Sequence, residues 1–149
     1  MGQSPLKRIK RQRQTGQSLA EFAIVFPVLF LIIAGIVQFG IIFWGQNTLN
    51  QVARDTGRWA ATLQTCDPGA VVTTANSIAG TSSLIGYTAG SWDATEVVVT
   101  FTSPCPPNDN TQVAWVNITI QHSVPVFFPL VPGNGLISTS TQFRMEPAP

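Results

Sequence analysis

From Phe22 to Gly45 the chain is apolar, interrupted only by the amide Gln38 and by no charge. As a helix this run measures roughly 36 Å, enough to cross a hydrocarbon core of about 30 Å. Only a helix or a closed barrel satisfies every backbone polar group in lipid, and one segment cannot close a barrel. The pattern therefore predicts a membrane-spanning helix over 17–45. Pro27 removes one of its hydrogen bonds and is expected to kink or loosen it. Gln38 is expected to bond a neighbouring helix, its own backbone or lipid headgroups. Beyond Gly45 the period stays near 3.6: Leu49, Val52, Ala53, Thr56, Ala60 and Leu63 form one stripe. This amphipathic continuation, 46–66, is expected to end near Thr65. Arg54, Asp55 and Arg58 lie off the stripe, either as a solvated face with an Asp55–Arg58 pair or as a docking contact.

Asp67-Pro68 reads as an N-cap followed by Pro at N1, opening a short helix to about Ala79. Gly80 to Gly90 reads as loop. The period then changes to two. Val97, Val99 and Phe101 form one alternating set; Ala114, Val116, Ile118 and Ile120 form a second; Ile137, Thr139, Thr141, Phe143 and Met145 form a third. These are three half-buried strands. The predicted fold class is α+β: a long N-terminal transmembrane helix continuing into a small domain, 67–149, whose three-stranded antiparallel sheet packs on the projecting half of the helix. The run Val126-Phe127-Phe128, between the second and third strands, is either core or a surface patch for a partner.

Charge adds a direction. Five of the eight basic residues (Lys7, Arg8, Lys10, Arg11 and Arg13) precede the span, and residues 1–16 hold no acid. By the positive-inside rule residues 1–16 are a cytoplasmic leader and the C-terminal part is exported. The same role accounts for the basic run better than direct nucleic-acid binding does. The apolar stretch is too long for an ordinary signal peptide and no A-x-A-like site closes it, so the helix is expected to stay in the product. Cys66 and Cys105 both lie beyond the span. Export favours a disulfide between them, and unpaired thiols are the alternative. A lone His122 offers no metal-ligand spacing and sits beside no nucleophile motif, and no phosphate-binding glycine loop is present, so neither an enzyme nor a cofactor is expected. Asn117-Ile118-Thr119 is a sequon inside a predicted strand.

Ser18-Leu19-Ala20-Glu21 has the form of a capping box that would start the long helix, with Glu21 at the positive end of the helix dipole. The same residues open a longer pattern. Gly16-Gln17-Ser18-Leu19-Ala20-Glu21-Phe22, the apolar helix, and Val52-Ala53-Arg54-Asp55-Thr56-Gly57-Arg58-Trp59-Ala60-Ala61 together resemble the TadE-like family. These are minor pilins or pseudopilins of the tight-adherence (Tad/Flp) pilus system. Phe22 stands where many members have Tyr. The resemblance implies a pilin-like fold and cleavage between Gly16 and Gln17 by a membrane prepilin peptidase. Loss of the leader takes the formal net charge from +1 to −4. It also implies that Glu21, next to Phe22, pairs with the N-terminal amine of a neighbouring subunit during assembly. The implied partners are the membrane, the peptidase, other pilin subunits and the assembly platform. The other functional reading of the chain is an uncleaved, single-pass anchored protein whose outer domain captures a ligand.

Overall fold

The computed structural model describes residues 13–107, 112–128 and 134–147. Lys7, Arg8, Lys10 and Arg11 of the leader lie outside them. The elements are α1 (Arg13–Ala61), α2 (Pro68–Thr81), β1 (Val97–Phe101), β2 (Trp115–Ser123) and β3 (Leu136–Arg144). The chain divides into two compact units, 1–37 and 38–149. The first consists, over its described residues, of α1, which stays α-helical across Pro27. The helix thus continues past a residue that has no N–H to give.

In the second unit the three strands form one antiparallel sheet in the order β1-β2-β3. Register follows the alternation: Val97, Val99 and Phe101 face Ile120, Ile118 and Val116. On the other side Val116, Ile118, Ile120 and His122 face Phe143, Thr141, Thr139 and Ile137. Val116, Ile118 and Ile120 are fully buried, and with Leu49, Val52, Ala53 and Ala60 of α1 they make the core. The sequon Asn117 lies in the central strand, paired on both sides.

The helix and β3 advance together. Gln46 Nε2 donates to the Ser138 carbonyl (3.0 Å), and Thr139 Oγ1 donates to Asn50 Oδ1 (2.6 Å). A Cβ on Gly45 would meet Val124 and Ile137, and one on Gly57 would fall on the Phe143 ring. From Gly45 to Gly57 the helix rises about 18 Å, close to the roughly 20 Å that β3 covers from Ile137 to Phe143. The two glycines bring the helix backbone against side chains of the sheet layer. The helix ends at Ala61, four residues before Thr65. Its last turn tightens, Thr62 N–H donating to Trp59 O and Leu63 N–H to Ala60 O (3.1 and 3.2 Å). The Glu146 N–H then satisfies the Ala61 carbonyl at 2.9 Å.

α2 starts as its sequence prescribes, Asp67 Oδ1 accepting from the Gly69 N–H at 2.8 Å. Val71, Ala75 and Ala79 form its buried stripe. The following loop is ordered by Asn76, whose Oδ1 accepts from Tyr87 Oη and the Trp92 N–H while its Nδ2 donates to Trp92 O. Before β1, Asp93 Oδ1 accepts from the Thr95 hydroxyl and N–H (2.7 and 2.6 Å). The Thr95 hydroxyl, first, holds this carboxyl below the usual range. These bonds favour the ionised form, so their contribution is complete above roughly pH 4 and is lost as pH falls through the lowered pKa.

Two expectations change. Of the alternatives for Val126-Phe127-Phe128, the surface patch describes the fold: Phe127 is 65% exposed and Val126 36%. Asp55 and Arg58 form no ion pair, and with Arg54 they stand exposed. One i,i+3 pair in water is too weak to order two exposed side chains.

Gly57→Ala and Gly40→Ala should act in opposite directions. Both gain roughly 1 kcal/mol of helix propensity. At Gly40 a Cβ meets nothing within 4 Å, so the variant is neutral or more stable. At Gly57 the Phe143 ring must move, and overpacking of about 1–3 kcal/mol should make the variant less stable. Denaturant unfolding of the detergent-solubilised protein reads both.

Candidate processing and assembly site

Gly16, Gln17, Glu21 and Phe22 all lie within α1 with exposed side chains. Because α1 begins at Arg13, Ser18 is interior to the helix. An N-cap needs non-helical backbone at the cap residue, so the capping-box reading of Ser18 and Glu21 is replaced. Instead Gln17 Nε2 donates to Glu21 Oε1 across one turn, at 3.0 Å. Glu21 is the only ionisable side chain between Arg13 and Arg54. Beside it starts an aromatic ladder on one face: Phe22 to Phe26 at 5.4 Å and Phe26 to Phe30 at 6.3 Å between ring centroids. The i,i+4 spacing of these three rings was visible in the sequence and is a signal the periodicity reading passed over.

Beyond this point the helix surface is apolar and bare. Leu19, Ile24, Leu31, Ile33 and Ile36 are each more than half exposed. The helix is long and apolar enough to cross a membrane, and little of its most apolar part is buried in the protein. The pattern changes at Gln38, which is fully buried. Its Nε2 donates to the Pro125 carbonyl (3.3 Å), and its Oε1 accepts from the N–H groups of Phe127 (2.9 Å) and Phe128 (3.3 Å). Its partners thus belong to the chain's own loop after β2, and no neighbouring helix is needed to satisfy it. They lie nearly ninety residues away, so no local pattern could have found them. Ile42 packs on the core, and Gly45 on Val124 and Ile137.

Cys66 and Cys105 form a disulfide, with Cα atoms 5.9 Å apart and a sequence separation of 39. It ties the segment after α1 to the segment after β1. His122 is a structural strut. Its Nε2 lies 2.9 Å from the Ile85 carbonyl, and its Nδ1 accepts from the Trp92 indole N–H at 3.4 Å. One neutral tautomer, protonated at Nε2, satisfies both. Among the described residues no three His, Cys, Asp or Glu are grouped closely enough to hold a metal ion.

These features define a class: an α+β protein carried on one long N-terminal helix able to cross a membrane, with a lone carboxylate near the start of that helix. Within that class, residues 16–58 match the family model described as TadE-like protein, the segment on which the resemblance was drawn. The match suggests a pilus-associated protein. No curated protein and no solved structure matches the chain.

Mass spectrometry of the intact protein should show a gain of two hydrogens on reduction. Replacing both cysteines with serine should cost about 4 kcal/mol in the chain-entropy description, read as a lower denaturation midpoint.

Proposed function

We propose that this protein is a minor pilin or pseudopilin of a tight-adherence pilus or secretion system, cut between Gly16 and Gln17 by a prepilin peptidase and assembled through its apolar helix. In this reading residues 1–16 stay in the cytoplasm, α1 spans the cytoplasmic membrane, and the sheet-bearing unit lies outside. The span covers about Leu19 to Val37, because from Gln38 onward the helix is committed to that unit. Nineteen residues rise about 28 Å, close to the thickness of the hydrocarbon core. The disulfide fits an oxidising compartment.

The observation that carries the reading is Glu21: one carboxylate, exposed on an apolar helix, five residues from the cleavage point. In lipid an unpaired carboxylate is costly. Cleavage frees an amine at Gln17, and that amine on a neighbouring subunit is the natural partner. The Gln17 side chain that donates to Glu21 is retained in the product, so what cleavage adds is the charged amine. A peptidase takes its substrate extended, so the first turn of α1 must open. Gly16 eases this, since glycine weakens a helix by roughly 1 kcal/mol relative to alanine, and the first turn lacks intrahelical acceptors for its N–H groups.

N-terminal sequencing of membrane-extracted protein should begin at Gln17; an intact leader would instead support the uncleaved anchored binder. Gly16→Val should leave the precursor uncut. Glu21→Ala should be cut nearly as well as the parent yet fail to enter the assembly, seen as loss from the sheared pilus or pseudopilus fraction. Normal assembly of that variant would reduce Glu21 to a side chain of local helix stability.

A further inference from the structure

Gln38 holds a loop at a defined level along α1. Its two hydrogen bonds to the Phe127 and Phe128 N–H groups and its bond to the Pro125 carbonyl fix residues 125–128 beside helix position 38. The base of the loop is closed by Val124 N–H on the Gly135 carbonyl (3.0 Å). Gly135 has φ +69°, and a Cβ there would run into the Val124 carbonyl, so the turn requires glycine. The loop is therefore positioned and does not merely trail from the sheet.

What it presents is apolar. Phe127 is 65% exposed, and on α1 Phe39, Phe43 and Trp44 are 51%, 66% and 57% exposed. No Asp, Glu, Lys or Arg occurs from Phe22 to Ala53 or from His122 to Phe143. Trp is enriched at the level of lipid headgroups, and Phe is among the apolar side chains that interfacial segments bury at the headgroup–acyl boundary. Position 38 is also where a span beginning at Leu19 reaches the far edge of the hydrocarbon.

We propose that loop 125–128 is seated in the outer headgroup layer of the membrane that α1 crosses, with Phe127 as an interfacial anchor and Gln38 as the residue that sets its depth. The occupant of this apolar surface is lipid, because the hydrogen bonds tie the loop to Gln38, the first polar side chain after the apolar run Phe22–Val37, and neither segment carries a charge. The proposal rests on α1 being the span, but not on cleavage at Gly16. It gives the sheet-bearing unit a fixed stance on the bilayer before assembly, with the loop released when the subunit leaves the lipid.

The test uses the full chain in phosphatidylcholine–phosphatidylglycerol vesicles. With Cys66 and Cys105 bridged, a single added thiol takes a nitroxide label, and its accessibility to oxygen and to a water-soluble nickel chelate gives its depth. Val126→Cys reports on the loop with Phe127 intact, Ile32→Cys on the span and Thr95→Cys on solvent. The expected order is Ile32 deepest, position 126 at the headgroup level and Thr95 in water. Adding Phe127→Ser or Gln38→Ala should shift the label at 126 toward the accessibility seen at Thr95. A 126 label as water-accessible as the one at 95, with 32 still deep in lipid, would overturn the proposal alone; water access at 32 would overturn the span as well. Immersion that disappears when protein is diluted tenfold into lipid would show that a second copy covers the patch, which also overturns it. An unchanged 126 depth in Gln38→Ala would remove Gln38 from its assigned part.

Discussion

One unbroken helix must satisfy two surroundings, and the amide of Gln38 is where the requirement changes. From Phe22 to Val37 the side chains of α1 are apolar and, Ala34 apart, mostly bare. At Gln38 a buried polar group appears, and a buried amide without partners costs a few kcal/mol. The cost is avoided by satisfying two backbone N–H groups and one carbonyl of a distant loop with a single side chain. The loop needs this as much as the helix does, since its own N–H groups have no strand to pair with there.

From that point the helix is laid along the sheet. Gly45 and Gly57 let its backbone approach, while Gln46 and Asn50 bond the adjacent strand. At the far end Glu146 satisfies the Ala61 carbonyl, and the Cys66–Cys105 bridge fastens the chain just beyond. The helix half in the sheet-bearing unit is thus held along its length by side chains, close backbone approach and one covalent link. A small unit with a three-stranded sheet has limited apolar area to bury, so these added ties matter more than they would in a larger domain.

The proposed role uses both parts of that helix differently. The bare part supplies apolar surface for lipid and then for neighbouring helices, with Glu21 as the one group whose pairing depends on register. The sheet-bound part carries the folded unit. Separating the two tasks along one helix lets a subunit change its surroundings without repacking its core. The exposed Arg54 and Arg58 belong to the family-matched segment; the stripe opposite them is what the sheet uses.

Local chemistry determined a good deal here. Uncharged length gave the spanning helix, the period-two runs gave three strands with their buried faces, and Asp67-Pro68 gave the start of α2, because each depends on neighbours a few residues away. The Gly16–Phe22 pattern was equally legible, being contiguous in the chain. Tertiary structure alone decided where the helix stops being bare, since Gln38 finds its partners nearly ninety residues on. It also decided that Ser18 lies inside the helix, that Gly57 faces Phe143 and that Phe127 stands in the open. Sequence patterning reports what a side chain prefers; which distant group meets it is fixed only when the sheet closes against the helix.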